Sequence, residues 1–238
     1  PLGDPFPSPP PFPPRPATHV AKVRDVNEDA FVERADAGLW AVADGMGGHS
    51  DGEVASRMVC DALGAFAADA GFEDMLDTAR ARVQEVNDHL LRVATRPINP
   101  VQSGSTLVAL LARGTRCALL WAGDSRVYRW RDGQLEQLTT DHSAVHPDGL
   151  IGGDESHAIT RAVGAEATLT LDLHRDRVRA GDRFLLCSDG LTRAVPNRLI
   201  HTWMQHEDLR AAVDGLIKAA LDAGAPDNVT VVIVDAYS

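Results

Sequence analysis

The chain has 238 residues, 44% hydrophobic and 24% charged, the make-up of a folded globular protein with one large domain or two small ones. A formal net charge of −11 argues against nucleic acid and anionic membrane surfaces as partners, because both attract basic faces. No apolar run is long enough to span a bilayer, no secretory leader is visible, and Cys60, Cys117 and Cys187 each lie in an apolar run, which points to reduced buried thiols and a cytoplasmic setting.

Residues 1–16, PLGDPFPSPPPFPPRP, hold nine of the chain's 14 prolines. Proline fixes φ and removes a donor, so neither helix nor sheet ladder is expected there. Residues 1–17 are therefore set apart as a Pro-rich linker or arm: a cloning remnant, a junction to a domain fused upstream, or a ligand for a partner. Residues 18–238 read as one domain.

Alternating and continuous apolar runs predict strands at 30–35, 39–43, 105–112, 116–122, 126–130, 169–174, 182–188 and 229–236. Asp132-Gly133 inside WRDGQL predicts a tight hairpin. Helical spacing runs through Val54–Phe66 and Met75–Ala94, then over about 194–204 and 207–223, where Gly224 and Pro226 stop the chain. Two helices between early strands, a strand meander, and two late helices predict an α+β fold with antiparallel sheets covered by helices. Strands apolar on both faces fit a sheet packed on a second sheet as well as on helices.

Acids recur where strands are expected to stop. LWAVA runs into Asp44-Gly45, LLWAG into Asp124, FLLCS into Asp189-Gly190, and AGAP delivers Asp227-Asn228 just before the last strand. Glu28-Asp29 precedes AFVERA. A single such acid is usually a turn former or helix cap. Converging carboxylates, by contrast, repel and are costly to desolvate, and a hard divalent cation resolves both problems. No zinc-type His/Cys set is present, so Mg²⁺ or Mn²⁺ with oxygen ligands and water is the matching ion. Glycine after an aspartate lets a backbone carbonyl approach such an ion.

The motifs RDVNEDAF (24–31), VADGMGGHSDGEVAS (42–56), GSTLVALL (104–111), WAGDSRVYRWRDGQLEQLTTDHS (121–143), AITRAVG (158–164), CSDGLT (187–192) and DNVTVVIV (227–234) together resemble the metal-dependent protein phosphatases, the PPM or type 2C family, in its compact bacterial form. The resemblance runs over about 18–238 and implies a four-layer α-β-β-α sandwich, two central antiparallel sheets flanked by helix pairs. It also implies a protein serine/threonine phosphatase acting by direct attack of a metal-bridging hydroxide, with no phosphoenzyme.

By the same resemblance Asp44, Gly45, Asp189 and Asp227 hold two metal ions, and Glu28 supports metal-bound water. Asp29 and Asn228 brace the cluster, and Arg24 clamps the substrate phosphate, as a guanidinium suits phosphate oxygens. Asp124 matches the ligand of a third, weaker metal shared with Asp189. Where some relatives add a further acid, this chain has Arg193, which puts the third site in doubt. For the leaving-group proton, His49 replaces the histidine that animal members carry directly after DG, here Met46. Metal-bound water is the rival source, and a helix-start role for His49 is the plain alternative. Residues 141–164 match the flap beside the site, with His142, His146 and His157 either touching substrate or simply polar loop residues.

The implied substrate is a phosphorylated protein, a bacterial kinase or its target, with type VI secretion control as one setting and a monomeric catalytic domain as the working unit. Two other classes stay open at this point: a phosphatase fold that only docks a partner, and a phosphatase for small phosphorylated metabolites. The intact set Asp44, Asp189 and Asp227 weighs against the first. Activity on phosphopeptides against metabolites separates the second.

Overall fold

The computed structural model describes residues 15–47, 51–65, 71–98, 100–144 and 158–236. In chain order the elements are β1 (Arg15–His19), β2 (Asp29–Arg34), β3 (Leu39–Gly47), α1 (Asp51–Gly64), α2 (Phe72–Ala94), β4 (Ser103–Ser105), β5 (Leu107–Arg113), β6 (Arg116–Ala122), β7 (Arg126–Arg131), β8 (Gln134–Gln137), β9 (Asp172–Arg177), β10 (Arg183–Cys187), α3 (Asp189–Ala194), α4 (Asn197–Met204), α5 (Leu209–Asp222) and β11 (Val229–Asp235). They form two antiparallel sheets, ordered β1-β11-β10-β7-β8 and β2-β3-β5-β6-β9, with β4 pairing to the far end of β3.

Period-two alternation sorts each central strand between two apolar layers. In β3, Leu39, Ala41 and Ala43 face α1 and α2, and Trp40 and Val42 face the other sheet. In β11, Val229, Val231 and Ile233 pack on α4 and α5, while Val232 and Val234 meet β3, β5 and β6 across the sandwich. Phe184 and Leu186 of β10 join that inner layer; Leu185 and Cys187 turn to the helices. The helices contribute apolar faces at i, i+4 and i+8, such as Ala55, Val59 and Leu63 in α1. Three apolar layers between four layers of secondary structure give the α-β-β-α sandwich expected of the sequence. All three cysteines are buried and unbonded. Among the described residues, no helix is long and apolar enough to cross a membrane.

Four local expectations need correction. The Pro-rich arm does not stay out of the sheet: Arg15–His19 pairs with β11, with Pro16 opposite Val232. An edge strand tolerates a missing N–H because only one side is bonded. The ladder of β9 starts at Asp172, three residues later than expected. Leu169 and Leu171 keep the inward alternation, but pairing with β6 begins only at Trp121↔Asp172. The helix expected over 194–204 starts only at Asn197, and a separate short helix not foreseen, α3, ends at Ala194; Val195-Pro196 breaks the two because the residue before proline is pushed out of the helical region. Finally, β3 does not end on Asp44. It continues to Gly47 and exchanges partners, pairing with β5 through Val42 and with β4 from Gly45.

The Asp132-Gly133 hairpin is as expected. Both residues have positive φ, 51° and 79°, which matches a two-residue turn with the right-handed twist of its strands.

Candidate metal centre

The inner layer between the sheets is apolar along most of its length and turns acidic at one end. Asp44 shares the strand parity of Trp40 and Val42, and Asp29 is its cross-strand partner in the β2–β3 register. From the opposite sheet, Ser188 follows Phe184 and Leu186 on the same parity, and its Oγ donates to Asp29 Oδ2 at 2.7 Å. Thr230 N donates to Ser188 Oγ at 3.0 Å. The Ser188–Asp29 bond joins the two sheets where the apolar contact stops, and Thr230, in the neighbouring strand, holds Ser188 in place.

Around this end the backbone is held by side-chain hydroxyls. Asp44 N donates to Thr106 Oγ1 at 3.0 Å, and Asp44 O accepts from Thr106 N at 2.8 Å and from Ser105 Oγ at 3.1 Å. Thr106 Oγ1 is also 2.8 Å from Ser125 Oγ, beside Asp124. The GSTL motif thus fixes the Asp44 and Asp124 segments to each other, a role that the sequence did not reveal. Gly45 N donates to Glu28 O at 3.0 Å. A Cβ at Gly45 would overlap Gly52 O and come within 2.7 Å of Glu28 O, so only glycine allows β3, α1 and the Glu28 segment to meet.

Asn228 ties in the Arg24 segment. Its Oδ1 accepts from Glu28 N at 2.9 Å, and its Nδ2 donates to Val20 O at 2.9 Å and Val26 O at 3.0 Å. Both ends of the loop carrying Arg24 are therefore pinned by one side chain. Arg24 itself is half-exposed, with Nη2 2.8 Å from Asp227 Oδ2. Gly190, just after Asp189, runs so close to Asn228 that an added methyl would overlap its carbonyl oxygen. Gly190→Ala is therefore expected to destabilise the chain by about 2–3 kcal/mol, measured as a lower midpoint in denaturant with an unchanged slope.

The electrostatics are those of an uncompensated acidic cluster. Burial, then the neighbouring Asp29, Asp189, Asp227 and Asp124, push the Asp44 carboxyl well above its ordinary range. Burial pushes Asp189 up to about 7, with Asp124 adding to it and Arg193 opposing, and Asp29 up to about 6. Glu28 and Asp124 are also raised, chiefly by burial. Glu28 Oε1, Asp29 Oδ1, Asp124 Oδ1 and Asp189 Oδ1 are buried without a hydrogen-bond partner. Orphaned carboxylate oxygens with raised proton affinity are what a divalent cation satisfies. The donors are all oxygen, which fits Mg²⁺ or Mn²⁺.

The cluster is gathered but not closed. Among the described residues, no three acids stand as a ready cage for one ion. Two carboxylates are instead engaged by guanidinium groups, Asp227 by Arg24 and Asp189 by Arg193 at 2.7 Å. Water filling the remaining coordination positions is the normal habit of Mg²⁺.

The structure thus brings together Arg24, Glu28, Asp29, Asp44, Gly45, Asp124, Asp189, Asp227 and Asn228 from segments far apart in the chain. His49, His146 and His157 lie outside the described residues. His142 stands at the base of the flap, where Ser143 bridges to Ile159. Its Nδ1 accepts from Gly123 N at 3.1 Å, its Nε2 is 3.2 Å from Asp172 Oδ2, and its ring stacks on Trp121. It supports the Gly123-Asp124 turn.

A family model described as Protein phosphatase 2C matches residues 18–227. The serine/threonine protein phosphatase PstP of Mycobacterium tuberculosis is 40% identical over 223 residues, 90% of this chain but 43% of that protein, so the chain spans under half of that relative's length. Among solved structures, PppA, described as a key regulatory component of T6SS in Pseudomonas aeruginosa, superposes with a TM-score of 0.86 at 39% identity, over 95% of this chain and 99% of that one. The catalytic domain of PstP in complex with two manganese ions superposes with a TM-score of 0.85 at 38% identity, over 94% and 98%.

Proposed function

The chain belongs to the protein phosphatase 2C family, and from that membership we propose that it is a metal-dependent serine/threonine protein phosphatase. The observation that carries this reading is the gathering of Asp29, Asp44, Asp124, Asp189 and Asp227 at one end of the inter-sheet layer, with orphaned carboxylate oxygens and an arginine at its rim. Divalent metal dependence is supported by the manganese complex of the similar PstP domain.

In this reading Asp44, Asp189 and Asp227, with the Gly45 carbonyl, hold Mn²⁺ or Mg²⁺, two ions in all. Glu28 and Asp29 accept hydrogen bonds from the water around them, and Asn228 keeps the Glu28 and Arg24 segments in register. The ions supply Lewis-acid activation of water and of the phosphoryl oxygens when bound. Arg24 gives up part of its pairing with Asp227 to fork onto the phosphoryl group of the substrate, which neutralises charge that builds up during transfer. No cysteine takes part: burial pushes Cys60 and Cys187 upward, so their thiolates are not available at neutral pH. The reading places His49 as the candidate proton donor to the leaving oxygen.

The substrate is a phosphorylated protein, a Ser/Thr kinase or its target in the bacterial cytoplasm, met by a monomeric catalytic domain. The likeness to PppA supports a setting in type VI secretion control.

The test is hydrolysis of a phosphothreonine peptide by the full chain with Mn²⁺, Mg²⁺ or EDTA. Turnover with metal, abolished by EDTA and indifferent to thiol-blocking reagents, is the expected result. Turnover confined to small phosphorylated metabolites, or none with any metal, would overturn it.

A further inference from the structure

One guanidinium sits inside the acidic cluster rather than at its rim. Arg193 lies one helical turn after Asp189 on α3, so the two side chains share a face. Its Nη2 is 2.7 Å from Asp189 Oδ2 and 3.7 Å from Asp124 Oδ2. Both carboxylates are buried, whereas Arg193 is about one-third exposed (34%). The cation therefore caps the Asp124–Asp189 pair from the solvent side. The far oxygens of both acids, Oδ1, remain without partners.

Asp124 belongs to this cation more than to the rest of the cluster. Arg193 Nη2 reaches Asp124 Oδ2 at 3.7 Å, whereas Asp44 stands opposite Asp29 in the β2–β3 register. The cluster thus has two ends: one at Asp44 and Asp227, and one at Asp124 with Arg193. A divalent ion at the second end would have to sit against a permanently charged guanidinium and compete with it for both carboxylates. Asp124 therefore does not fit a metal ion of its own, while Asp189 keeps one carboxylate oxygen, Oδ1, outside the guanidinium contact.

We propose that Arg193 is a tethered cation that takes the place of a metal ion at the Asp124–Asp189 end, so that the chain binds divalent ions at the Asp44 end alone and gains a further ion site only when Arg193 is removed. This rests on the metal-centre reading above. The guanidinium cannot dissociate or be depleted, so the charge balance of Asp124 and the orientation of Asp189 become independent of metal supply. Arg193 acts through Asp189 and is a positioning residue.

The experiment counts bound Mn²⁺ on the full chain, by titration calorimetry and by elemental analysis after gel filtration, at neutral pH. The proteins are wild type, Asp124→Asn, Arg193→Ala, Arg193→Gln, Arg193→Lys and the double variant Arg193→Ala with Asp124→Asn. The expected result is one additional Mn²⁺ per chain in Arg193→Ala and Arg193→Gln, the wild-type count in Arg193→Lys, and loss of the additional ion in the double variant. Two neutral replacements guard against one that does not fold. Equal counts in wild type and both neutral variants, or a wild-type ion lost on Asp124→Asn alone, would overturn the proposal while leaving the metal centre standing. No Mn²⁺ bound to any protein, Asp44 intact, would overturn the metal centre itself and this inference with it.

Discussion

Asp44→Asn is expected to lower Mn²⁺-dependent hydrolysis of a phosphothreonine peptide by about 1,000-fold or more, with the fold retained. The proton affinity of Asp44 is raised by burial and by four neighbouring acids, Asp29, Asp189, Asp227 and Asp124, so it stands among them. Its backbone is bonded on both sides through Thr106 and Ser105, and those bonds do not involve the carboxylate. Asparagine keeps the volume and the backbone partners while removing the charge that draws an ion in. The loss should appear in kcat, and raising Mn²⁺ to millimolar levels should not restore it. Measuring kcat and KM at several Mn²⁺ concentrations checks this. An Asp44→Asn enzyme with near-wild-type kcat would remove Asp44 from the metal centre.

The second large effect concerns stability. Without metal, the chain should become less stable as pH rises from about 4 to about 7, and Mn²⁺ should reverse the loss at the upper end. Asp189 and Asp29 are pushed up to about 7 and about 6 in the folded chain, and Asp44 is displaced the same way. Unfolded, the same carboxyls titrate near 4. Between those values the folded state holds protons that the unfolded state has released, so each rise in pH favours unfolding. Above about 7 Asp189 and Asp29 are ionised in both states and their repulsion is borne by the fold, amounting to a few kcal/mol.

Burial works to raise Asp172 and Asp176, but His142 and Arg161 on the first, and the Arg177 amide and Arg129 on the second, leave both lowered. They act oppositely, and only below about 4, so the two limbs separate in pH. Bound Mn²⁺ stabilises the native state by mass action. Thermal unfolding of EDTA-treated chain at pH 5 and pH 8, with and without Mn²⁺, reads the effect directly. The midpoint should fall between pH 5 and 8 by several degrees, on a scale of roughly 2–4 °C per kcal/mol for a chain of this size. Asp44→Asn should raise the metal-free midpoint at pH 8 and abolish the Mn²⁺ response. A metal-free midpoint that rises from pH 5 to 8 would mean that the acids are too well solvated to repel one another.

The two effects have one origin. The end of the sandwich that can hold ions is the end that is least stable without them. Function and stability oppose each other at Asp44, Asp124 and Asp189, and the arginines at the site, Arg24 and Arg193, offset the cost where they reach.

Much of this was legible in the order of residues. Alternation in LWAVA, FLLCS and VTVVIV marked strands buried on both faces, because period two assigns successive side chains to opposite layers. The Asp132-Gly133 pair specified its own turn, since few other pairs accept two positive φ values. Acids followed by glycine stood out because a carboxylate beside a stripped backbone has little purpose in an apolar strand. These are local properties, set by the backbone geometry of a few neighbouring residues.

What only the tertiary structure decided is which of those local pieces meet. Nothing near Pro16 in sequence indicates that its segment will pair with β11, more than two hundred residues away. The resemblance implied a bracing role for Asn228, but only the fold shows its amide bonded to Glu28, Val20 and Val26 together. Arg193 stood out in sequence only by the resemblance, as a cation where some relatives have an acid, and its contacts with Asp189 at 2.7 Å and Asp124 at 3.7 Å form only once β6, β10 and α3 are packed. The physical reason is the same in each case. Backbone conformation and strand parity follow from nearest neighbours, whereas a carboxylate's partners, its burial and its proton affinity are set by whichever distant groups the two sheets bring to the same end of their shared core.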